Sequence, residues 1–209
     1  MSPRSVAIFG GSFNPIHSGH LAVAEEVRVR YNLDRVIFVP AFQSPLKKAE
    51  TLAEAKSRLA MALLATVSNP YFEVSDFELE RGGKSYSIDT IRHFKSILGE
   101  GVSLYFILGA DSLVELAAWR DIQDALRLCR FIAVARPGYD FGEIKRDRFG
   151  GAPGQGMDQA SLENILFEEC VKMDVSSTMI RQRVTERQSI KYLVPEPVEQ
   201  FIHRYGLYL

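Results

Sequence analysis

Two rhythms of apolar and polar positions alternate along this chain. "SVAIF" (5–9) is a short, continuously apolar run ending in Gly10-Gly11, the pattern of a strand buried on both faces. From His17 to Tyr31 the rhythm turns helical, with Leu21, Ala24 and Val27 recurring among Glu25, Glu26, Arg28 and Arg30. "RVIFVP" (35–40) predicts a second buried strand stopped by Pro40, and "LAEAKSRLAMALLATV" (52–67) a helix with a broad apolar face. "YFEVSDFELE" (71–80) alternates and predicts an edge strand or two. "SIDTIRHFKSIL" (87–98) reads as a helix stopped by Gly99; "SLYFILG" (103–109) and "RFIAVARPG" (130–138) repeat the buried-strand theme. Residues 137–160, rich in glycine and charge, read as an irregular insertion. A short strand at "CVKMDV" (170–175), a helix starting at "SSTMIRQRV" (176–184) and a last helix, "EPVEQFIHRYG" (196–206), complete the chain.

Continuously apolar strands alternating with helices imply an α/β fold: a Rossmann-like, doubly wound, mainly parallel sheet covered on both faces. A small helical part, about residues 176–209, ends what reads as a single domain over 1–209. Open sheets of this kind place ligands beyond the carboxyl ends of their strands. Gly10, Pro40, Gly109 and Arg136 close strands, so the informative residues are expected near them.

Composition narrows the class. With 209 residues, 46% hydrophobic and 24% charged, the chain has the balance of an ordinary globular protein with a substantial core. A net charge of −1 argues against a basic, nucleic-acid-coating surface. No segment reaches the ~20 apolar residues of a membrane span. The two cysteines, Cys129 and Cys170, are far apart and read as buried thiols in a reducing compartment, so a cytoplasmic location is expected.

The chemistry concentrates in "FGGSFNPIHSGH" (9–20). A glycine-rich turn between a strand and a helix brings backbone N–H groups and the positive end of a helix dipole to an anion. The glycine spacing is not the dinucleotide fingerprint, and the Lys-Ser/Thr pair of a Walker loop is missing. His17 and His20 share a helix face instead. Phosphate binding, a structural role and metal ligation all stay open, although a stable zinc site needs three or four protein ligands. In "SSTMIRQR" (176–183), Ser176, Ser177 and Thr178 precede a helical run, with Arg181 one turn beyond Thr178. That is a second candidate anion site.

Together "GGSFNPIHSGH" and "SSTMIR" resemble the nucleotidyltransferases with a His-x-Gly-His signature and an Ile-Ser-Ser-Thr-x-x-Arg signature. "SYSIDTI" (85–91), "FILGADSL" (106–113) with Trp119, "ARPGY" (135–139) and "LVPEPVEQFIHRYGLY" (193–208) are similar to the bacterial nicotinate-nucleotide adenylyltransferase family in particular. The resemblance implies a reaction of ATP with nicotinate mononucleotide, giving deamido-NAD and pyrophosphate. It implies Mg²⁺ carried mainly by the ATP phosphates, with no metal ligands from the protein. It assigns catalytic roles to His17, His20, Lys47 and Arg181. Gly10, Gly11, Ser12, Phe13, Gly109, Asp111, Ser177 and Thr178 would bind ATP. Ser87, Trp119 and Arg136 would bind nicotinate mononucleotide. Neither nucleic acid nor membrane is expected as a partner; a homo-oligomer is left open. Three positions depart from the family pattern: Ser12 and Asn14 in the glycine-rich turn, and Leu46 where a histidine is usual, which leaves Lys47 as the cation of its loop.

Overall fold

The computed structural model describes residues 4–45, 52–135, 163–171 and 173–209, with the side chains of Asp111 and Val114 excepted. Its sheet has six strands, all parallel: β1 (Ser5–Gly11), β2 (Arg35–Pro40), β3 (Phe72–Val74), β4 (Ser103–Gly109), β5 (Arg130–Val134) and β6 (Ile165–Glu168). Their spatial order is β3-β2-β1-β4-β5-β6. The chain winds outward from β1 in one direction and from β4 in the other, so the switch point lies between the carboxyl ends of these two strands.

Strand alternation divides the core. Val6, Ile8, Leu104, Phe106, Leu108, Phe131 and Ala133 face one side of the sheet. There they pack against α4 (Ser87–Leu98), α5 (Ala110–Val114) and α6 (Ile122–Leu128) through Ile88, Ile91, Leu113 and Leu126. Ala7, Phe9, Val36, Phe38, Ile107 and Ile132 face the other side. That side is covered by α1 (Ser18–Arg30), α2 (Ala55–Thr66), α7 (Ser177–Thr185) and α8 (Glu196–Arg204). The two C-terminal helices join the same buried cluster through Ile180, Val184, Val198 and Ile202. Side chains of this size contribute roughly 1.5–3 kcal/mol each when fully buried.

Two expectations about elements are corrected. Only Phe72–Val74 of the alternating stretch at 71–80 is a strand; Phe77–Arg81 forms a short helix, α3. It starts where Phe77 N donates to Ser75 Oγ at 3.2 Å, and it turns Glu78 inward. The last strand is Ile165–Glu168, not 170–175, where the described backbone makes tight turns (Met173 N to Val171 O, Val175 N to Met173 O). Arg130–Val134 ends before Arg136, which lies outside the described residues together with Lys47, Leu46 and the 137–160 insertion.

Candidate active site

β1 delivers the glycine-rich turn to the switch point, and the turn's geometry is set by close packing. A Cβ at Gly11 would stand 3.1 Å from Phe13 Cζ. Phe13 itself is buried at a φ of 45°, in the left-handed region that costs a non-glycine residue about 1 kcal/mol. Its ring is held edge-on to Phe9 and His20, with centroids at 5.6 and 5.2 Å.

His17 and His20 cap α1 reciprocally. His17 Nδ1 accepts from His20 N at 3.3 Å, and His20 Nδ1 accepts from His17 N at 3.2 Å. This is the geometry of a capping box, built from imidazoles instead of a hydroxyl and a carboxylate. The rings stack at 3.6 Å. Because each Nδ1 accepts, the proton of each neutral ring sits on Nε2. Two Nε2–H donors therefore stand side by side at a helix N-terminus, where an anion is favoured. Gly19 is required by the rings themselves: a Cβ there would lie 3.1 Å from His17 Nδ1.

The turn is clamped from both directions. On the C-terminal side, Ser177 Oγ donates to Pro15 O at 2.9 Å and Arg181 to Asn14 O at 2.9 Å. Ser176 caps α7 by accepting from Met179 N. Tyr208 Oη donates to Asn14 Oδ1 at 2.9 Å, and Ala53 N donates to the same oxygen at 3.0 Å. On the α2 side stands Arg58, 1% exposed, donating to the carbonyls of Ala53, Ser12 and Phe42 at 2.9, 2.8 and 3.0 Å. Burial pushes its guanidinium below the ordinary arginine range, with weaker opposing pulls from Tyr208 and Glu78. Arg58 thus ties the glycine-rich turn to the loop after β2. No motif flagged it, although it shares a buried helical stripe with Met61, Ala62 and Ala65.

Two cavities meet over this turn. The first, about 400 Å³, is walled by His17, His20, Ser177, Thr178 and Arg181. The second, about 710 Å³, is walled by Ser87, Trp119, Arg120, Glu78, Ser85 and Tyr86. Gly10, Gly11, Ser12, Gly109 and Ser112 form a floor common to both. The sequence-derived residues accordingly fall into two groups around one floor. Gly109 ends β4 and starts α5, and the backbone of Asp111 follows it. Ser87 opens α4, whose N-cap Tyr86 makes no side-chain capping bond. Trp119 stands edge-on to Phe106 and Phe131, with centroids at 6.1 and 6.4 Å.

The structure adds Glu78, Ser85, Arg120 and Ser112 to the second cavity. Arg120 lies 3.9 Å over the Tyr86 ring and bonds Asp89 at 2.6 Å. Among the described residues, no group of three or more His, Cys, Asp or Glu side chains is placed to hold a metal ion.

The chain is similar to known proteins in sequence and in fold. The cytidylyltransferase-like family model matches residues 8–183. A Thermoanaerobacter protein described as a probable nicotinate-nucleotide adenylyltransferase is 43% identical over 97% of this chain and 93% of its own length. A Moorella thermoacetica protein with the same description is 45% identical over 99% of this chain and 92% of its own. In structure, the chain is similar to the Plasmodium falciparum nicotinic acid mononucleotide adenylyltransferase complexed with NaAD. That likeness has a TM-score of 0.73, spans 98% of this chain and 97% of the other at 19% identity, and concerns the fold.

Proposed function

The chain belongs to the cytidylyltransferase-like family and, within it, to the nicotinate-nucleotide adenylyltransferases, and on that premise we propose how its residues transfer the adenylyl group of ATP to nicotinate mononucleotide. The observation that carries the reading is the pair of cavities with one floor: a donor-rich one beside a partly aromatic one, meeting at Gly10–Ser12 and Gly109.

ATP occupies the first cavity and the mononucleotide the second, so the mononucleotide phosphate reaches the α-phosphorus. An oxygen–phosphorus bond forms there, and the bond to the β-phosphate oxygen breaks, releasing pyrophosphate. The attacker is already an anion, so no protein base or nucleophile is needed. What remains is positioning and neutralisation of charge spreading over the phosphate oxygens. His20 Nε2–H donates to the α-phosphate and His17 Nε2–H to the outer phosphates. Thr178 and the guanidinium N–H groups of Arg181 not engaged by Asn14 join them. Ser177 acts first through Pro15, by holding the turn in place. Gly11, Ser12 and Phe13 run along the nucleotide, with Gly109 and Asp111 at its nucleoside end. Trp119 lies against the pyridine ring, and the amide of Ser87 meets its carboxylate at the N-terminus of α4. Lys47 and Arg136 are proposed as cations for the triphosphate and the mononucleotide phosphate.

The first cavity presents imidazole, hydroxyl and amide donors, which suit anionic oxygens rather than a cation. Those donors fit Mg²⁺ held by the ATP phosphates themselves; bound there, the ion would draw charge from the pyrophosphate leaving group. The test is a pyrophosphate-release assay with ATP and either nicotinate or nicotinamide mononucleotide. Preference for the nicotinate form is expected; a strong preference for the amide would overturn the substrate assignment.

A further inference from the structure

Among the described residues that wall the second cavity, Arg120 is the single lysine or arginine, and it shares that wall with two carboxylates, Glu78 and Glu115. A carboxylate drawn from water into such a cavity loses hydration, and a nearby cation offsets that loss.

Arg120 is held at one end of the cavity. Its guanidinium lies 3.9 Å over the Tyr86 ring, and Nη2 donates to Asp89 Oδ1 at 2.6 Å. Tyr86 is the N-cap of α4, and Asp89 lies in its first turn. Trp119 precedes Arg120 in the chain and Ser87 opens α4; both line the same cavity. The cation therefore stands by the helix N-terminus and the indole, the end at which the nicotinate carboxylate is placed above.

Asp89 does not cancel this charge. Arg81 on α3 reaches the other oxygen of Asp89 at 3.2 Å, so two guanidinium groups share one carboxylate and one positive charge is left over. Asp121 stands 3.9 Å from Arg120 Nε and 3.8 Å from Arg92. Followed outward through Asp121, Arg92, Asp124 and Arg127, four arginines alternate with three aspartates, and the surplus stays positive.

We propose that Arg120 is a specificity-determining residue: its charge, acting across the acceptor cavity, favours the ring carboxylate of nicotinate mononucleotide over the neutral amide of the nicotinamide form. This rests on the assignment of the second cavity to the mononucleotide. The phosphate is common to both acceptors, so they differ by one negative charge on the ring. The N–H groups that open α4 suit an oxygen of either substituent. A surplus positive charge beside them stabilises the acid and is nearly indifferent to the amide.

The test compares KM for nicotinate and nicotinamide mononucleotide (Ki where turnover is slow) at saturating ATP and fixed pH, in the wild type, Arg120→Lys and Arg120→Gln. The ratio of the two constants cancels every effect on the shared phosphate. Arg120→Gln should raise the nicotinate constant by ~5-fold and leave the amide constant within ~2-fold, the scale of an exposed ion pair. Arg120→Lys keeps the charge and should keep the discrimination. The Arg120 side chain is 43% exposed, so salt screens its charge. Raising KCl from ~0.05 to ~0.5 M should move the wild-type ratio toward that of the Gln variant and leave the Gln ratio flat.

Four outcomes overturn the proposal. The first is a Gln variant with the wild-type ratio, and the second a wild-type ratio unmoved by salt. The third is a Lys variant that matches Gln, which would replace charge by the fork geometry of the guanidinium. The fourth is an equal loss for both acceptors with shifted emission from Trp119, the only tryptophan of the chain, which would make Arg120 a brace for that ring. Failure of the wild type to use nicotinate mononucleotide would instead overturn the reading beneath the proposal, and the proposal with it.

Discussion

The two walls of the cleft treat their polar groups in opposite ways. On the triphosphate side the groups that shape the site are tied to its backbone. The histidines cap each other's backbone, Ser177 and Arg181 hold the carbonyls of Pro15 and Asn14, and Arg58 holds Ser12. On the acceptor side, Glu78 Oε2 and Trp119 Nε1 are buried without partners among the described residues, and no side chain caps α4. The contrast follows the chemistry. Charge develops around the α-phosphate, and donors fixed beforehand need no reorganisation there.

The largest effect that could break this contrast is that of His20→Ala. Turnover should fall by at least ~100-fold, as for other fixed donors to a developing negative charge. The variant also loses half of the cap on α1, a cost of about 1 kcal/mol, so a thermal melt should show it folded. Near-normal turnover would mean that the donor wall is scaffold only. A smaller effect, confined to the other wall, is expected of Trp119→Ala. KM for nicotinate mononucleotide should rise by ~10-fold and KM for ATP by less than ~2-fold, since only the ring contact is lost. Steady-state kinetics with each substrate varied in turn measures both; equal rises would show that the two cavities are not separate subsites.

The donor wall was far more legible in the sequence than the acceptor wall. His17, His20, Ser177 and Arg181 sit in two short local motifs whose spacing places them on helix N-termini, and the structure brings both helices to one cavity. Their division of labour was not legible, because it depends on contacts such as Ser177 to Pro15 across 162 positions. The acceptor wall gathers side chains from α3, α4 and the segment after α5, and the pattern misread its key element. In "YFEVSDFELE" the alternation predicts strand throughout; past Val74 a short helix forms instead and turns Glu78 inward. Arg58 was readable in principle. It lies three, four and seven positions before Met61, Ala62 and Ala65, so the apolar stripe of α2 runs through an arginine. The strand order could be inferred only in class, since parallel pairing of β1 with β4 joins segments almost a hundred residues apart.

The smallest effect sharpens the contrast most, because it separates holding the turn from acting on substrate. Tyr208 Oη donates to Asn14 Oδ1, and Thr185 Oγ1 in turn donates to Tyr208 O, keeping the C-terminal segment against the turn. Burial pushes the Tyr208 phenol above its ordinary range, so it stays a neutral donor throughout the working pH range. In Tyr208→Phe the ring volume is kept, and Asn14 Oδ1 still accepts from Ala53 N. No acceptor is stranded, so the loss should be about 1 kcal/mol, a fall of roughly 2–4 °C in Tm for a chain of this length. Turnover should change by less than ~3-fold, because the histidines keep their mutual cap. A Tm shift with kcat intact would show that the turn has more restraints than its chemistry requires. A kcat loss approaching that of His20→Ala would instead make the C-terminal segment part of the donor wall. The boundary between the two walls would then run along the carbonyls of Asn14 and Pro15, not along the histidines.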